Sequence, residues 1–147
     1  MEHLTNTHKV DMKKILIADD EPEILEIMAR KISLEGYSVV TACDGQEAWE
    51  KIESENPDVI MLDLTMPRMG GLEVLKKLRE NPPGPKWQPV IIVSALNELK
   101  HIEAGLSLEA DHYITKPCTM VDILKGIRLM LSLVPQRITK SDPNNDN

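Results

Sequence analysis

Six polar residues that could do chemistry lie within three residues of the end of a short apolar run. Acidic residues follow the runs ILIA and VIML, a hydroxyl follows VIIV, and an ammonium group follows YIT. The six residues are Asp19, Asp20, Glu21, Asp63, Ser94 and Lys116. If the runs are strands of one parallel sheet, their carboxyl ends meet at one edge, where such folds place their ligands. The six side chains are then expected to converge.

The grouping of acidic residues points to a divalent cation. Neighbouring carboxylates repel one another and stay ionised only beside a counter-charge. Mg²⁺ takes oxygen ligands in octahedral geometry and keeps several waters, usually beside phosphate oxygens. A site with this cation, the ammonium of Lys116, the hydroxyl of Ser94 and one spare carboxylate is suited to phosphoryl transfer onto that carboxylate.

The elements that must position these residues alternate along the chain. Apolar runs predict strands over about 15–18, 38–42, 59–62, 90–93 and 113–115. Helical patterns between and after them predict helices over about 22–35, 46–54, 72–79, 98–107 and 120–134. Three of the strands are continuously apolar, which is typical of parallel strands buried on both faces. Five alternating units of this length predict an α/β fold, a parallel sheet with helices on both faces.

Two helices carry more detailed expectations. The first has Pro22 in its first turn and Gly36 just past its end, which is the usual start and stop chemistry, and its buried stripe is predicted at Ile24, Met28 and Ile32. In the last helix Leu129 and Leu133 fall outside the broad face expected to pack on the sheet. They are predicted to belong to a surface for a partner or a second copy of the chain.

The two ends of the chain are predicted to lie outside the folded domain. Residues 1–11 are polar and without pattern, and are expected to be a flexible extension. Pro135 interrupts the last helical pattern, and the segment 135–147 is rich in Pro, Asn and Asp, so it is expected to be a disordered tail. One domain over 12–134 remains.

Composition excludes several classes of protein. Lys and Arg number 17 against 24 Asp and Glu, and the net charge of -7 argues against binding to nucleic acid phosphates. Cys43 and Cys118 have no metal-site or disulfide spacing, which fits a reducing cytoplasm. No apolar run approaches the roughly 20 residues that cross a membrane. A cytoplasmic protein that binds neither nucleic acid nor a membrane is expected.

Four motifs resemble those of the receiver domain of two-component response regulators, of the stand-alone kind typified by the chemotaxis regulator. They are ILIADDEP, VIMLDLTMPRMGG, VIIVSA and YITKP, in the family's order over about residues 13–133. The resemblance implies a flavodoxin-like, doubly wound sheet of five parallel strands in the order 2-1-3-4-5. It also implies Mg²⁺ as cofactor.

The resemblance assigns roles to individual residues. Asp63 matches the aspartate that is phosphorylated by a histidine kinase. Asp20 matches the direct Mg²⁺ ligand, while Asp19 usually acts through water. Asp63 itself and the main-chain oxygen of Thr65 match the remaining protein ligands of the metal.

Three further positions match the family's phosphate-binding and switch residues. Lys116 matches the phosphate-binding lysine, whose bond to the following proline is cis in this family. Ser94 matches the hydroxyl that moves to the phosphoryl group, and Tyr113 matches the aromatic ring that turns inward with it. Such a domain is not an enzyme beyond its own phosphorylation and dephosphorylation. Since neither Thr65 nor Leu96 can strongly orient an attacking water, we expect a phosphoryl lifetime longer than that of fast chemotaxis-type regulators.

The implied partners are proteins. A histidine kinase or a phosphotransfer protein would supply the phosphoryl group. A downstream target would bind the face formed by the fourth helix, the fifth strand and the fifth helix, and the same face could form a homodimer.

Simpler interpretations exist for each of these residues. Asp63 could be a turn carboxylate at a strand end, and Asp19 or Asp20 could cap the following helix. Lys116 could be solvated, Ser94 could be a turn residue, and the ring of Tyr113 could simply be packed.

Four other functions fit the sequence less well than that of a phosphorylated receiver. A phosphorylation-independent scaffold does not need the complete set of acidic residues and lysine. A flavodoxin needs a phosphate loop where Asp19 to Glu21 lie, and a haloacid-dehalogenase-type phosphatase needs an acid where Thr65 stands. A DNA-binding regulator needs more residues after the last helix than this sequence has.

Overall fold

The computed structural model describes residues 12–103 and 110–139. Within these residues five strands and five helices alternate. The strands are β1 (Lys14–Ala18), β2 (Ser38–Ala42), β3 (Val59–Asp63), β4 (Val90–Ala95) and β5 (His112–Lys116). The helices are α1 (Pro22–Leu34), α2 (Gly45–Glu55), α3 (Gly71–Glu80), α4 (Leu96–Glu103) and α5 (Met120–Thr139). The predicted extension 1–11, the end of the predicted fourth helix and residues 140–147 lie outside the described residues.

The strands form one parallel sheet in the order β2-β1-β3-β4-β5, which confirms the predicted fold. The chain adds strands on one side of β1 and then on the other, so the strand order reverses between β1 and β3. In the register, Ala18 lies opposite Leu62 and Ala95 lies opposite Lys116. The carboxyl ends of β1, β3, β4 and β5 therefore lie at the same edge of the sheet, where ligands bind in folds of this kind.

Alternate residues of the strands enter two separate cores. Leu16, Ile60 and Ile92 belong to the core beneath α2 and α3. Their neighbours Ile17 and Met61 belong to the core beneath α1 and α5. Because both faces of the central strands are buried, the runs are apolar without interruption, as the sequence predicted.

The buried stripe of α1 differs from the predicted one. Ile24 is 41% exposed, whereas Leu25 and Ile32 are buried and Met28 packs partly against the same core. Residues seven positions apart differ by only about 20° around a helix, and residues eight apart by about 80°. With Ile32 on the sheet, Leu25 therefore faces inward, so the assignment of Ile24 to the core was wrong.

The last helix also departs from its prediction. It ends at Thr139 rather than at 134, so residues 135–139 of the predicted tail are helical. Proline lacks an N–H donor and weakens one turn of a helix, but it does not forbid continuation where the rest of the pattern persists. Leu133 packs partly against the α1 and α5 core, so its predicted exposure was wrong, whereas Leu129 is 49% exposed.

None of the helices in the described part of the chain combines the length and apolar character needed to cross a bilayer.

Candidate functional site

Asp63 is the last residue of β3 and lies at the edge where the strand ends converge. The residue is 8% exposed, and β3 is the central strand of the sheet. Its Oδ2 accepts a hydrogen bond from Lys116 Nζ at 3.1 Å, and its Oδ1 accepts one from the Thr65 backbone N–H at 3.3 Å. Each oxygen of the Asp63 carboxylate therefore accepts one hydrogen bond, and the residue also lines a cavity.

Lys116 binds two carboxylates. Its Nζ lies 3.1 Å from Asp63 Oδ2 and 3.5 Å from Asp19 Oδ2, and its side chain keeps one-third exposure. The bond from Lys116 to Pro117 is cis, which confirms the sequence prediction. The single ammonium group therefore joins the ends of β1, β3 and β5.

The acidic residues after β1 form a cluster of oxygen donors. Carboxylate oxygens of Asp19, Asp20 and Glu21 lie within 4.8 Å of one another. Asp19 is buried, and its Oδ1 accepts a hydrogen bond from the Glu21 backbone N–H at 2.9 Å, whereas Asp20 and Glu21 are exposed. Grouped carboxylate oxygens beside Asp63 are the donors that Mg²⁺ prefers. The residues present thus fit a magnesium ion, and Glu21 joins the set that the sequence assigned.

Burial and the bond between Asp63 and Lys116 shift the pKa of each residue in opposite directions. Burial raises the pKa of Asp63, the bond from Lys116 lowers it, and the Asp19 carboxylate raises it again, with a net increase. Burial lowers the pKa of Lys116, but its bonds to Asp63 and Asp19 outweigh burial and raise it. Two acids thus share one ammonium group, which leaves negative charge for a cation to neutralise.

The loop after β3 is fixed by close backbone contacts. Leu64 donates its N–H to Val93 O at 3.1 Å, and Gly71 donates to Leu64 O at 2.9 Å. A Cβ on Gly71 would lie 2.5 Å from the carbonyl oxygen of Asp63, so only glycine fits there. The loop also carries Arg68, which binds the buried carboxylate of Asp44 at the start of α2. These contacts hold Asp63 and the residues after it in one orientation.

Ser94 does not bind Asp63 or Lys116 in this structure. It lies at the end of β4 and is buried, and its Oγ donates to Glu98 Oε1 at 3.0 Å. Tyr113, its predicted companion, is half-buried and packs against the α2 and α3 core. The predicted switch residues, Ser94 and Tyr113, are therefore near the site, but the hydroxyl of Ser94 is bound to Glu98.

Glu98 is the residue of this site that sequence reasoning missed. It accepts hydrogen bonds from Ser94 Oγ at 3.0 Å, Thr65 Oγ1 at 2.5 Å and the Ala95 backbone N–H at 3.2 Å. These bonds, the one from Thr65 above all, lower its pKa. Its position is the third residue of α4, where an acid often reaches back to the residue before the helix, and that pattern was the available signal.

A cavity of about 280 Å³ opens beside Asp63. Its polar lining comes from the site, and its apolar lining comes from α1, the sheet and the start of α5. Among the residues that line it are Asp19, Lys116, Met28, Cys118 and Ile123. A phosphoryl group on Asp63 would therefore have room and an adjacent ammonium group.

Comparisons with known proteins agree with this geometry. The family model of the response regulator receiver domain matches residues 15–128 of this chain. The alkaline phosphatase synthesis transcriptional regulatory protein PhoP of Bacillus subtilis is 36% identical over 134 residues, which are 91% of this chain and 55% of that protein. The response regulator MprA of Mycolicibacterium vanbaalenii is 37% identical over 118 residues, which are 80% of this chain and 50% of that protein. The chain thus spans about half the length of these relatives.

Solved structures of receiver domains superpose on the chain. A CheY-like receiver domain from Methanospirillum hungatei has a TM-score of 0.72 and 32% identity, with 86% of this chain and 98% of that chain covered. The response regulator TrrA of Thermotoga maritima, solved in complex with Mg²⁺ and BeF, has a TM-score of 0.70 and 34% identity, with 82% of this chain and all of that chain covered. Receiver domains typically bind Mg²⁺ at an acidic pocket, and phosphorylation with a conformational switch is typical of them. The chain belongs to the response regulator receiver domain family of two-component signalling systems.

Proposed function

We propose that Asp63 of this chain accepts a phosphoryl group from a histidine kinase or phosphotransfer protein. The observation that carries the proposal is the position of Asp63 at the end of the central strand, bound to Lys116 and beside a group of acidic oxygens. A carboxylate in such a site is a nucleophile whose product, a phosphoryl group, finds a cation next to it.

The transfer is a displacement at phosphorus. A carboxylate oxygen of Asp63 forms a bond to the phosphorus atom, and the bond from phosphorus to the donor's imidazole nitrogen breaks. The electron pair of the broken bond stays on that nitrogen, which takes up a proton. Lys116 lies 3.1 Å from the attacking carboxylate and can bind a phosphoryl oxygen. The protein is thus a signalling module whose only reaction is on its own aspartate.

Mg²⁺ fits the same edge. Asp19, Asp20, Asp63 and the main-chain oxygen of Thr65 are the proposed protein ligands, and a carboxylate oxygen of Glu21 lies within 4.8 Å of those of Asp19 and Asp20. When bound, the ion neutralises charge that the carboxylates and phosphoryl oxygens accumulate. Asp19 and Asp63 share Lys116 in this structure, and with a cation beside these carboxylates the ammonium group of Lys116 would be available to bind the phosphoryl group.

We propose that Ser94 and Tyr113 convert phosphorylation into a change of shape. In the described structure the hydroxyl of Ser94 binds Glu98. A phosphoryl group on Asp63 would attract this hydroxyl, and rotation of Ser94 would leave space beside β4 for the ring of Tyr113. The phosphoryl group thereby shifts an equilibrium between two arrangements, because it binds one of them better.

The output surface is proposed on α4, β5 and α5. Leu129 is 49% exposed there and lines a concave region together with Tyr113 and Lys125. We expect Leu129→Glu to weaken binding of a protein target or of a second copy. Val121→Glu, on the same helix and 58% exposed, is the matched control. Equal effects of the two variants on target binding and on sedimentation would contradict the assignment.

The test of the function is the intact mass of the protein after incubation with acetyl phosphate. Wild type with Mg²⁺ should gain the mass of one phosphoryl group, and chelation of Mg²⁺ should prevent the gain. Asp63→Asn should gain nothing, whereas Glu73→Gln, an exposed acid near the same edge, should behave as wild type. Phosphorylation of Asp63→Asn at the wild-type rate would place the acceptor elsewhere. No mass gain in wild type would favour a phosphorylation-independent scaffold.

A further inference from the structure

We infer that Glu98 is a positioning residue that holds the unphosphorylated state by binding the proton of the Ser94 hydroxyl. The inference rests on the proposed function, because it concerns the hydroxyl that must reach a phosphoryl group on Asp63. It assigns the resting position of that hydroxyl to one carboxylate in the first turn of α4.

The geometry makes the restraint specific. Glu98 Oε1 accepts from Ser94 Oγ at 3.0 Å and from Ala95 N at 3.2 Å, while Oε2 accepts from Thr65 Oγ1 at 2.5 Å. One carboxylate thus joins the loop after β3, the end of β4 and the start of α4. Thr65 is in turn bound through its N–H to Asp63 Oδ1 at 3.3 Å.

A serine hydroxyl has one proton, so it donates to one acceptor at a time. A phosphoryl group and an ionised carboxylate are both acceptors, and both form the stronger, charge-assisted kind of hydrogen bond. Glu98 and a phosphoryl group on Asp63 therefore compete for Ser94. The resting state persists as long as the Ser94 hydroxyl binds Glu98 more strongly than any competing acceptor. A phosphoryl group on Asp63 binds this hydroxyl only when the bond from Ser94 to Glu98 breaks.

The same competition carries the signal to α4. Ala95 N–H remains bound to Glu98 when Ser94 leaves, but two of the three bonds at this carboxylate come from the strand end and the loop. Once Ser94 turns to Asp63, the first turn of α4 loses its bond from the Ser94 side chain and is held to β4 by the Ala95 N–H alone among these three bonds. The helix that forms part of the proposed output surface can then move.

The test uses Mg²⁺ and beryllofluoride, which mimics a phosphoryl group, bound to the full chain and measured by calorimetry. We expect Glu98→Ala to tighten binding about three- to tenfold, which is the range of one ordinary net hydrogen bond. Glu73→Ala is the matched control: it removes the same charge from the third residue of α3, and it should bind as wild type.

A background lacking the hydroxyl separates positioning from simple charge removal. In Ser94→Ala, the further change Glu98→Ala should have no effect on beryllofluoride affinity, because no proton remains to be contested. An equal gain in both backgrounds would mean that Glu98 acts only by repelling the anion, and would overturn the inference. Unchanged affinity of Glu98→Ala in the presence of Ser94 would overturn it as well.

The proposed function and this inference fail differently. If wild type does not bind beryllofluoride with Mg²⁺ at all, both are wrong. If wild type binds and takes up phosphoryl groups from acetyl phosphate while Glu98→Ala changes nothing, only the role of Glu98 is wrong. Thermal unfolding of each variant identifies any that has not folded, and Glu98→Gln, which keeps the shape and an acceptor oxygen, should then show a smaller gain in the same direction.

Discussion

Replacement of Asp63 by asparagine is expected to stabilise the metal-free, unphosphorylated protein at neutral pH. The side chain of Asp63 is only 10% exposed, and its pKa is raised by burial and by Asp19 despite the bond from Lys116. A raised pKa means that the ionised carboxylate is less favourable in the folded state than in the unfolded chain. Asparagine keeps the shape and can still accept a hydrogen bond from Lys116, but it carries no charge.

The expected size follows from two opposing contributions. The attraction between Asp63 and Lys116 at 3.1 Å amounts to about 5 kcal/mol at an effective dielectric constant of about 20. Removal of a carboxylate from water costs several kcal/mol, and Asp19, which binds the same ammonium at 3.5 Å, adds repulsion. The raised pKa of Asp63 shows that the unfavourable contributions outweigh the attraction to Lys116. We expect a gain of about 1 kcal/mol in the free energy of unfolding, or about 4 °C in Tm.

The gain should depend on pH. Because the folded-state pKa of Asp63 lies above its unfolded value, the folded protein binds more protons between the two values, and stability falls as pH rises through that window. Above the window the advantage of Asp63→Asn is complete. It should shrink as pH falls through the folded-state pKa and vanish near or below the unfolded value of about 3.9, where both side chains are neutral.

The assay is thermal unfolding of wild type and Asp63→Asn in a chelator, followed by circular dichroism from neutral to acidic pH. Asp44→Asn is a control of opposite sign, since backbone and Arg68 hydrogen bonds lower the pKa of Asp44. Its ionised form stabilises the fold above its unfolded pKa, and the variant should lose stability at neutral pH. A Tm of Asp63→Asn at or below that of wild type at pH 7, or a gain that does not change with pH, would refute the reasoning.

Three further predictions concern the metal, the lifetime of the phosphoryl group and the opposite end of the sheet. Millimolar Mg²⁺ should raise the Tm of wild type by mass action but leave that of Asp20→Ala nearly unchanged; equal shifts in calorimetric scans would remove Asp20 from the metal site. Leu96→Asn should shorten the lifetime of the acyl phosphate several-fold in a decay assay, because an amide there can orient the attacking water; an unchanged decay rate would count against this. Arg79→Ala should cost about 3 kcal/mol in denaturant unfolding, since it leaves the carboxylate of Asp111, whose side chain is 10% exposed and which Arg79 binds at 2.8 Å, without this cation. Arg30→Ala, which removes an exposed ion pair, is the control. A similarly small loss in the free energy of unfolding for both arginine variants would contradict the estimate.

The strands and the position of the site could be predicted from the sequence because both depend on local patterns. A strand buried on both faces needs an uninterrupted apolar run, and VIML before Asp63 is such a run. Parallel connection by helices then places all strand ends at one edge. The meeting of Asp63, Lys116 and Asp19 followed from those two facts alone.

Helix faces were predicted less well. Ile24 and Leu25 are adjacent in sequence and similarly apolar, and only the orientation of α1 on the sheet decides which of them is buried. Leu133 lies at the border of the buried face of α5, so its contact with the core depends on how that helix is seated. The end of α5 was also predicted too early, since the helix continues past Pro135 to Thr139.

By itself, the sequence determined the α/β architecture, the edge of the sheet that carries the chemistry, and the types of the groups gathered there. Only the tertiary structure decided where the Ser94 hydroxyl points. The contact between Thr65 and Glu98 joins residues 33 positions apart, and no local pattern relates them. Hydrogen bonds depend on distances of a few tenths of an ångström, whereas sequence periodicity specifies only which face of an element is apolar. The folded arrangement of β3, β4 and α4 therefore determines that the Ser94 hydroxyl donates to Glu98.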